Sequence, residues 1–111
     1  MTSPQKAKGS QWERDVAAYL RDNGFPEADR RYGAGVQQDK GDIVGVPGFA
    51  LECKNQANIN ISQFLDEALI EAVHAKKRFG AAVIKRRRRN TKDAYVVMSL
   101  EQFVELIRGE K

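Results

Sequence analysis

The chain predicts an α/β fold, a sheet with helices packed against it, and three observations carry that prediction. Stretches with the apolar spacing of helices alternate with short β-rich runs. Capping residues and glycines punctuate those stretches where helices begin and end. A Pro47-Gly48 turn joins two runs whose apolar and charged residues alternate with the period of a strand. At 111 residues the chain is one domain, 1–111, large enough to bury a core of its own.

Composition narrows the function. Hydrophobic residues make up 41% and charged residues 31%, as in ordinary globular proteins, and no apolar run approaches a membrane span. No signal-peptide pattern opens the chain, so an intracellular, cytoplasmic location and no membrane partner are expected. Cys53 is the single cysteine and His74 the single histidine. That excludes an internal disulfide framework and argues against zinc, so any metal should be a hard cation held by oxygen. The net charge of +4 and the pI near 9.4 point mildly to a polyanionic partner.

In chain order, residues 1–8 read as a flexible polar tail. Ser10 and Glu13 have capping-box spacing for a helix with Trp12, Val16, Tyr19 and Leu20 on one face, and Gly24 stops it. Glu13 is thus explained as a capping residue, which does not exclude a place in a site. Residues 28–32 suggest a first strand, in which Arg30 and Arg31 would point to opposite faces. Gly33, Ala34 and Gly35 then form a small-residue loop, either close enough for a phosphate backbone to approach or simply a connection.

Residues 40–54 form the central hairpin, and its register can be argued. A two-residue loop of Pro47 and Gly48 would pair Val46 with Phe49 and set Ile43 against Glu52. A three-residue loop, with Gly48 at positive φ, pairs Gly45 with Phe49 and Asp42 with Glu52. Only the second separates an apolar face (Ile43, Phe49, Leu51, Cys53) from a charged one (Asp42, Glu52, Lys54), so an odd-length loop or a bulge giving the same parity is expected. Two carboxylates and a lysine on one face would make a divalent-cation site. The same residues would equally suit a solvated surface with cross-strand ion pairs.

A second helix is predicted from Ser62, its N-cap, to Phe79, with Gly80 ending it and Phe64, Leu65, Ala68, Leu69, Ala72 and Val73 packing the core. Gln63 and His74 read as surface or structural residues. Strands follow at 81–85 and 95–98, joined through the basic run Arg86, Arg87, Arg88 and Arg89, which gains most from a polyanion. A last helix is capped by Ser99 and Gln102, carries Leu100, Phe103, Val104 and Ile107, and ends at Gly109.

With Glu13 and Arg14 on the first helix, GDIV at 41–44 and ALECKN at 50–55, the chain resembles the PD-(D/E)XK nuclease superfamily. Within it the likeness is closest to archaeal-type Holliday-junction resolvases, over residues 8–25, 30–35, 41–44 and 50–55; beyond Gly80 only the element order fits. The resemblance implies a restriction-endonuclease-like αβββαβ core with a mixed central sheet flanked by helices, plus an extra strand and a C-terminal helix. It implies that Glu13, Asp42 and Glu52, with the Cys53 backbone carbonyl, hold Mg²⁺ or Mn²⁺, and that Lys54 is the catalytic lysine. Two positions depart from those resolvases: the glycine-containing loop lacks a serine, and Gly41 replaces a proline. Under this reading DNA is contacted by Arg14, Arg30, Arg31, Gly33, Gly35, Lys40 and Arg86 to Arg89. The partner would be branched DNA such as a four-way junction, cut by a homodimer encoded by a microbe or phage. Cutting of duplex or flap DNA, a catalytically inactive nucleic-acid-binding module of the same fold, and a small α/β interaction protein are the competing readings.

Overall fold

The computed structural model describes residues 4–31 and 42–109; Gly33, Gly35 and Lys40 lie outside the described residues. The elements are α1 (Pro4–Asp22), β1 (Asp29–Arg30), β2 (Ile43–Val44), β3 (Phe49–Lys54), α2 (Ile61–Ala75), β4 (Phe79–Ile84), β5 (Tyr95–Val97) and α3 (Leu100–Ile107), with a 3₁₀ turn at Thr91–Asp93. They form a mixed five-stranded sheet in the order β1-β2-β3-β4-β5. Only β3 and β4 are parallel, and α2 is the crossover such a pair requires. This α/β architecture is compatible with the expected restriction-endonuclease-like core.

The hairpin register is the one argued from the sequence. Ile43 stands opposite Leu51, and Asp42, just before β2, donates its N–H to the Leu51 carbonyl. Phe49 N–H closes the loop on the Val46 carbonyl at 3.1 Å, and Gly48 takes φ +81, a conformation a side chain would resist.

All six residues of β4 are buried, and their alternation sorts the core into two layers. Ala81 and Val83 meet Trp12, Val16 and Ala17 of α1 together with Ile43 and Leu51. Ala82 and Ile84 meet Phe64 of α2 on the other face. The Trp12 indole N–H donates to the Val83 carbonyl at 3.1 Å, which ties α1 to the sheet by a polar bond inside an apolar layer.

Several boundaries differ from expectation. α1 begins at Pro4, so the tail expected over 1–8 is helical from Pro4 onward, and Ser10 lies inside the helix rather than capping it. Proline suits a first turn, where its missing N–H has no intrahelical partner to lose. Tyr19 is exposed rather than part of the core face. α2 is capped by Asn60, whose Oδ1 accepts from Gln63 N–H at 3.1 Å, not by Ser62. It ends at Ala75, with Lys76 in the left-handed conformation. On its apolar stripe Val73 faces solvent, while Glu71 is buried.

Gly80 does not stop a helix; it lies within β4. A Cβ there would collide with the Ala68 carbonyl of α2, so glycine is what lets helix and strand approach. Its backbone is also grasped from α3: Gly80 N–H donates to Gln102 Oε1 at 2.6 Å, and Gln102 Nε2 donates to the Gly80 carbonyl at 3.0 Å. Gln102 is the buried residue of α3, whereas the apolar Leu100, Phe103, Val104 and Ile107 are exposed. Ser99 caps α3 as predicted, accepting from Gln102 N–H at 3.2 Å.

Candidate active site

Three elements converge at the end of β3. Ala50, Glu52 and Lys54 share one strand face, and their neighbours Leu51 and Cys53 take the face covered by α1. Glu52 is almost wholly buried. Lys54 Nζ lies 3.2 Å from Glu52 Oε1 and 3.3 Å from Glu67 Oε2 of α2. It also sits 5.1 Å from the centre of the Phe64 ring. Glu67 follows Phe64 by three residues, and helical spacing therefore brings both to the same lysine.

Asp42 enters from just before β2. Its N–H donates to the Leu51 carbonyl and its own carbonyl accepts from Arg31 N–H, each at 2.8 Å. Its Oδ2 accepts from Cys53 N–H, also at 2.8 Å. The Lys54 carbonyl accepts from Lys85 N–H toward β4. Carbonyls alternate direction along a strand, so that of Cys53 points back toward Asp42.

The electrostatics follow from crowding. Burial and the neighbouring Glu52 push the Asp42 carboxyl up to about 7, with Glu13 adding to the rise; the Cys53 N–H and Lys54 oppose it. Burial alone would lower the Lys54 pKa, but Glu52 and Glu67 outweigh it, so the amine is held above its ordinary value and stays an ammonium. The Cys53 thiol is raised by burial and then by Asp42, Glu13 and Glu52, which leaves it protonated and unsuited to nucleophilic work.

Glu13, Asp42, Glu52, Cys53 and Lys54 line one open hollow of about 640 Å³. Its other walls are Gln5, Lys8 and Gly9 of α1 and residues 55–58. Glu13 is not free in it, because its carboxylate accepts from Arg30 Nε at 3.0 Å. Among the described residues no three His, Cys, Asp or Glu side chains are grouped closely enough to hold a metal ion. Asp42 and Glu52 nonetheless form a donor pair with unmet demand. Glu52 Oε2 is buried without a hydrogen-bond partner among the described residues, and the two carboxylates repel each other. A hard cation between them would satisfy both conditions.

The structure separates the sequence-predicted DNA contacts. Arg30 is committed to Glu13, and the buried Arg31 Nε has no partner among the described residues. Arg14 is exposed on α1 and donates to Gln11 at 3.0 Å. Arg86 stacks 5.0 Å from the Tyr95 ring and donates to the Asp93 carbonyl at 3.3 Å, while Arg87, Arg88 and Arg89 are exposed. Glu67 was not among the sequence-predicted site residues. Its only signal is its place one turn past Phe64 on the helix that follows β3.

A mixed α/β sheet whose central hairpin ends in an aspartate, a glutamate and a lysine is the core of a PD-(D/E)XK nuclease. A family model described as "Phage putative PDDEXK endonuclease" matches residues 4–110, and the chain belongs to that family. Nucleases of this class act on DNA and generally use divalent metal ions. Searches of curated proteins and of solved structures found no match.

Proposed function

We propose that the chain is a metal-dependent endodeoxyribonuclease acting on branched DNA, Holliday junctions first among them. The observation that carries the nuclease reading is the juxtaposition of Asp42, Glu52 and the doubly paired Lys54 at the end of β3. Asp42 and Glu52, with the Cys53 carbonyl and with Glu13 at the rim, would hold Mg²⁺ or Mn²⁺. Such an ion supplies charge neutralisation and a more acidic water. The chain's own residues do the rest. Lys54, kept cationic by Glu52 and Glu67, offers a point charge to the non-bridging oxygens as water attacks phosphorus and the bond to the leaving oxygen breaks. Water must lose a proton in that step, and an ammonium cannot take it, so Lys54 is an electrostatic catalyst rather than the base.

DNA would be held through the exposed arginines, together with Arg14, Arg31, Gly33, Gly35 and Lys40. A four-way junction has two-fold symmetry and suits a symmetric dimer. The exposed apolar side of α3 is the surface available for one, with Leu100 76% and Ile107 64% exposed. Among the described residues no helix is long and apolar enough to cross a membrane, and the host cell's cytoplasm is the proposed place of action. A second reading, a DNA-binding module without catalysis, draws on the engagement of Glu13 by Arg30.

The test is cleavage of a synthetic four-way junction beside a matched linear duplex and a flap, with Mg²⁺, Mn²⁺ or EDTA. Paired metal-dependent nicks confined to the junction are expected. Equal cutting of all three removes the junction preference, and tight binding without cutting moves the assignment to the binding module.

A further inference from the structure

Beside the acidic hollow lies a second one of about 330 Å³, walled by Lys85, Arg87 and Arg88. Lys8, Asn55, Gln56 and Ala57 line both hollows, so the two share a wall, with carboxylates on one side of it and cations on the other. Topology sets this polarity. β3 and β4 run parallel with Lys54 opposite Ile84, so the residues that follow each strand, Asn55 and Lys85, emerge at the same end of the sheet. The first turns of α1 supply the shared wall through Lys8.

The basic run does not contribute evenly. Lys85 Nζ is held 5.5 Å from the centre of the Trp12 ring. Arg86 is drawn away to Tyr95 and the Asp93 carbonyl. The chain then turns at Arg88, at φ +62, and Arg87 and Arg88 form the wall. Among the described residues no carboxylate lines this hollow, and their polar side chains there are cations and two amides. That chemistry fits a phosphodiester.

We propose that the basic hollow seats the phosphate next to the one that is cut, on the same DNA strand, held by Lys8, Lys85, Arg87 and Arg88 with the amides of Asn55 and Gln56. The proposal rests on the endonuclease reading and deepens it: one hollow cuts while its neighbour fixes the strand's register. It also divides the basic run, since Arg87 and Arg88 bear on the phosphate and Arg86 does not.

The test measures equilibrium binding of a labelled four-way junction over a salt series in EDTA, in an Asp42→Asn background so that nothing is cut. The triple variant Lys8→Gln, Arg87→Gln, Arg88→Gln, which strips the one phosphate seat, should flatten the slope of log affinity against log salt by about 0.9, and Arg86→Gln should leave it unchanged. Neutral methylphosphonates are then placed one position at a time around the cut mapped with the unsubstituted protein. The substitution adjacent to the cut should weaken binding by the protein with its basic residues intact and weaken the triple variant no further. An unchanged slope for the triple variant, or an equal loss for Arg86→Gln, overturns the seat. Metal-dependent cleavage by the unsubstituted protein keeps the two readings apart. If cleavage persists while the slope does not move, only the seat is wrong; if the protein neither binds nor cuts, both fall.

Discussion

The Asp42 carboxylate is fixed against β3 by the Cys53 N–H at 2.8 Å, beside the Glu52 carboxylate whose charge opposes its own. Replacing Asp42 by Asn removes the negative charge and keeps the size. Cleavage should fall below detection in the junction assay while DNA binding in EDTA is retained. Normal cutting by this variant would remove Asp42 from the site.

The same crowding predicts how stability depends on pH. The Asp42 carboxyl is raised from 3.8 to about 7 in the fold. Between those values the folded state holds a proton that the unfolded state has released. This contribution to stability is therefore present at low pH and is lost as pH rises through about 7. Asp42→Asn should be more stable than the native chain above pH 7, by on the order of 2–4 kcal/mol, and the gap should close toward pH 4. Adding Mg²⁺ at pH 8 should raise the melting temperature of the native chain and not that of the variant. Urea titrations and thermal scans across pH check both.

Lys54→Met leaves Glu52 and Glu67 facing each other without their shared cation. Cleavage should drop by about 10²–10³-fold. Stability at pH 8 should fall by about 3 kcal/mol, part of it regained at pH 5 as a carboxylate takes up a proton. Equal losses at the two pH values would show that the lysine is not balancing those carboxylates.

Gly80→Ala drives a methyl group into the Ala68 carbonyl. A loss of about 1–3 kcal/mol in urea is expected, through displacement of α2 from β4. Since α2 carries Glu67, cleavage should weaken as well, although Gly80 lines neither hollow.

Leu100→Glu and Ile107→Glu place charges on the exposed apolar side of α3. Sedimentation should show the native chain as a dimer and the double variant as a monomer of unchanged helicity. A native chain that sediments as a monomer at every concentration would rule out the dimer.

What the sequence made legible was whatever parity decides. The alternation of apolar and charged residues on either side of Gly48 fixed the hairpin parity, and with it the meeting of Ile43 and Leu51. Positions decided by distant partners were not legible. Ser10 and Glu13 have the spacing of a helix cap, but α1 starts at Pro4 and Glu13 is spent on Arg30. Gly80 has the look of a helix stop because nothing nearby in the sequence announces the close approach of Ala68. The place of Lys54 beside Glu52 was legible from strand parity, and its second carboxylate, Glu67, was not, because that pairing depends on how α2 folds back over β3. The four arginines read as one patch, yet Arg86 is withdrawn by Tyr95, which follows only after the turn.

The clasp of Gln102 on Gly80 has a bearing on solubility. β5 pairs with β4 only at residues 82–84, so the start of β4 would otherwise offer an unpaired N–H and C=O to any passing strand. One side-chain amide supplies both missing bonds and closes that template without a further strand. A chain shortened before α3 would keep the central hairpin but expose a sticky edge, and it should be lost to aggregation before any other failure is seen.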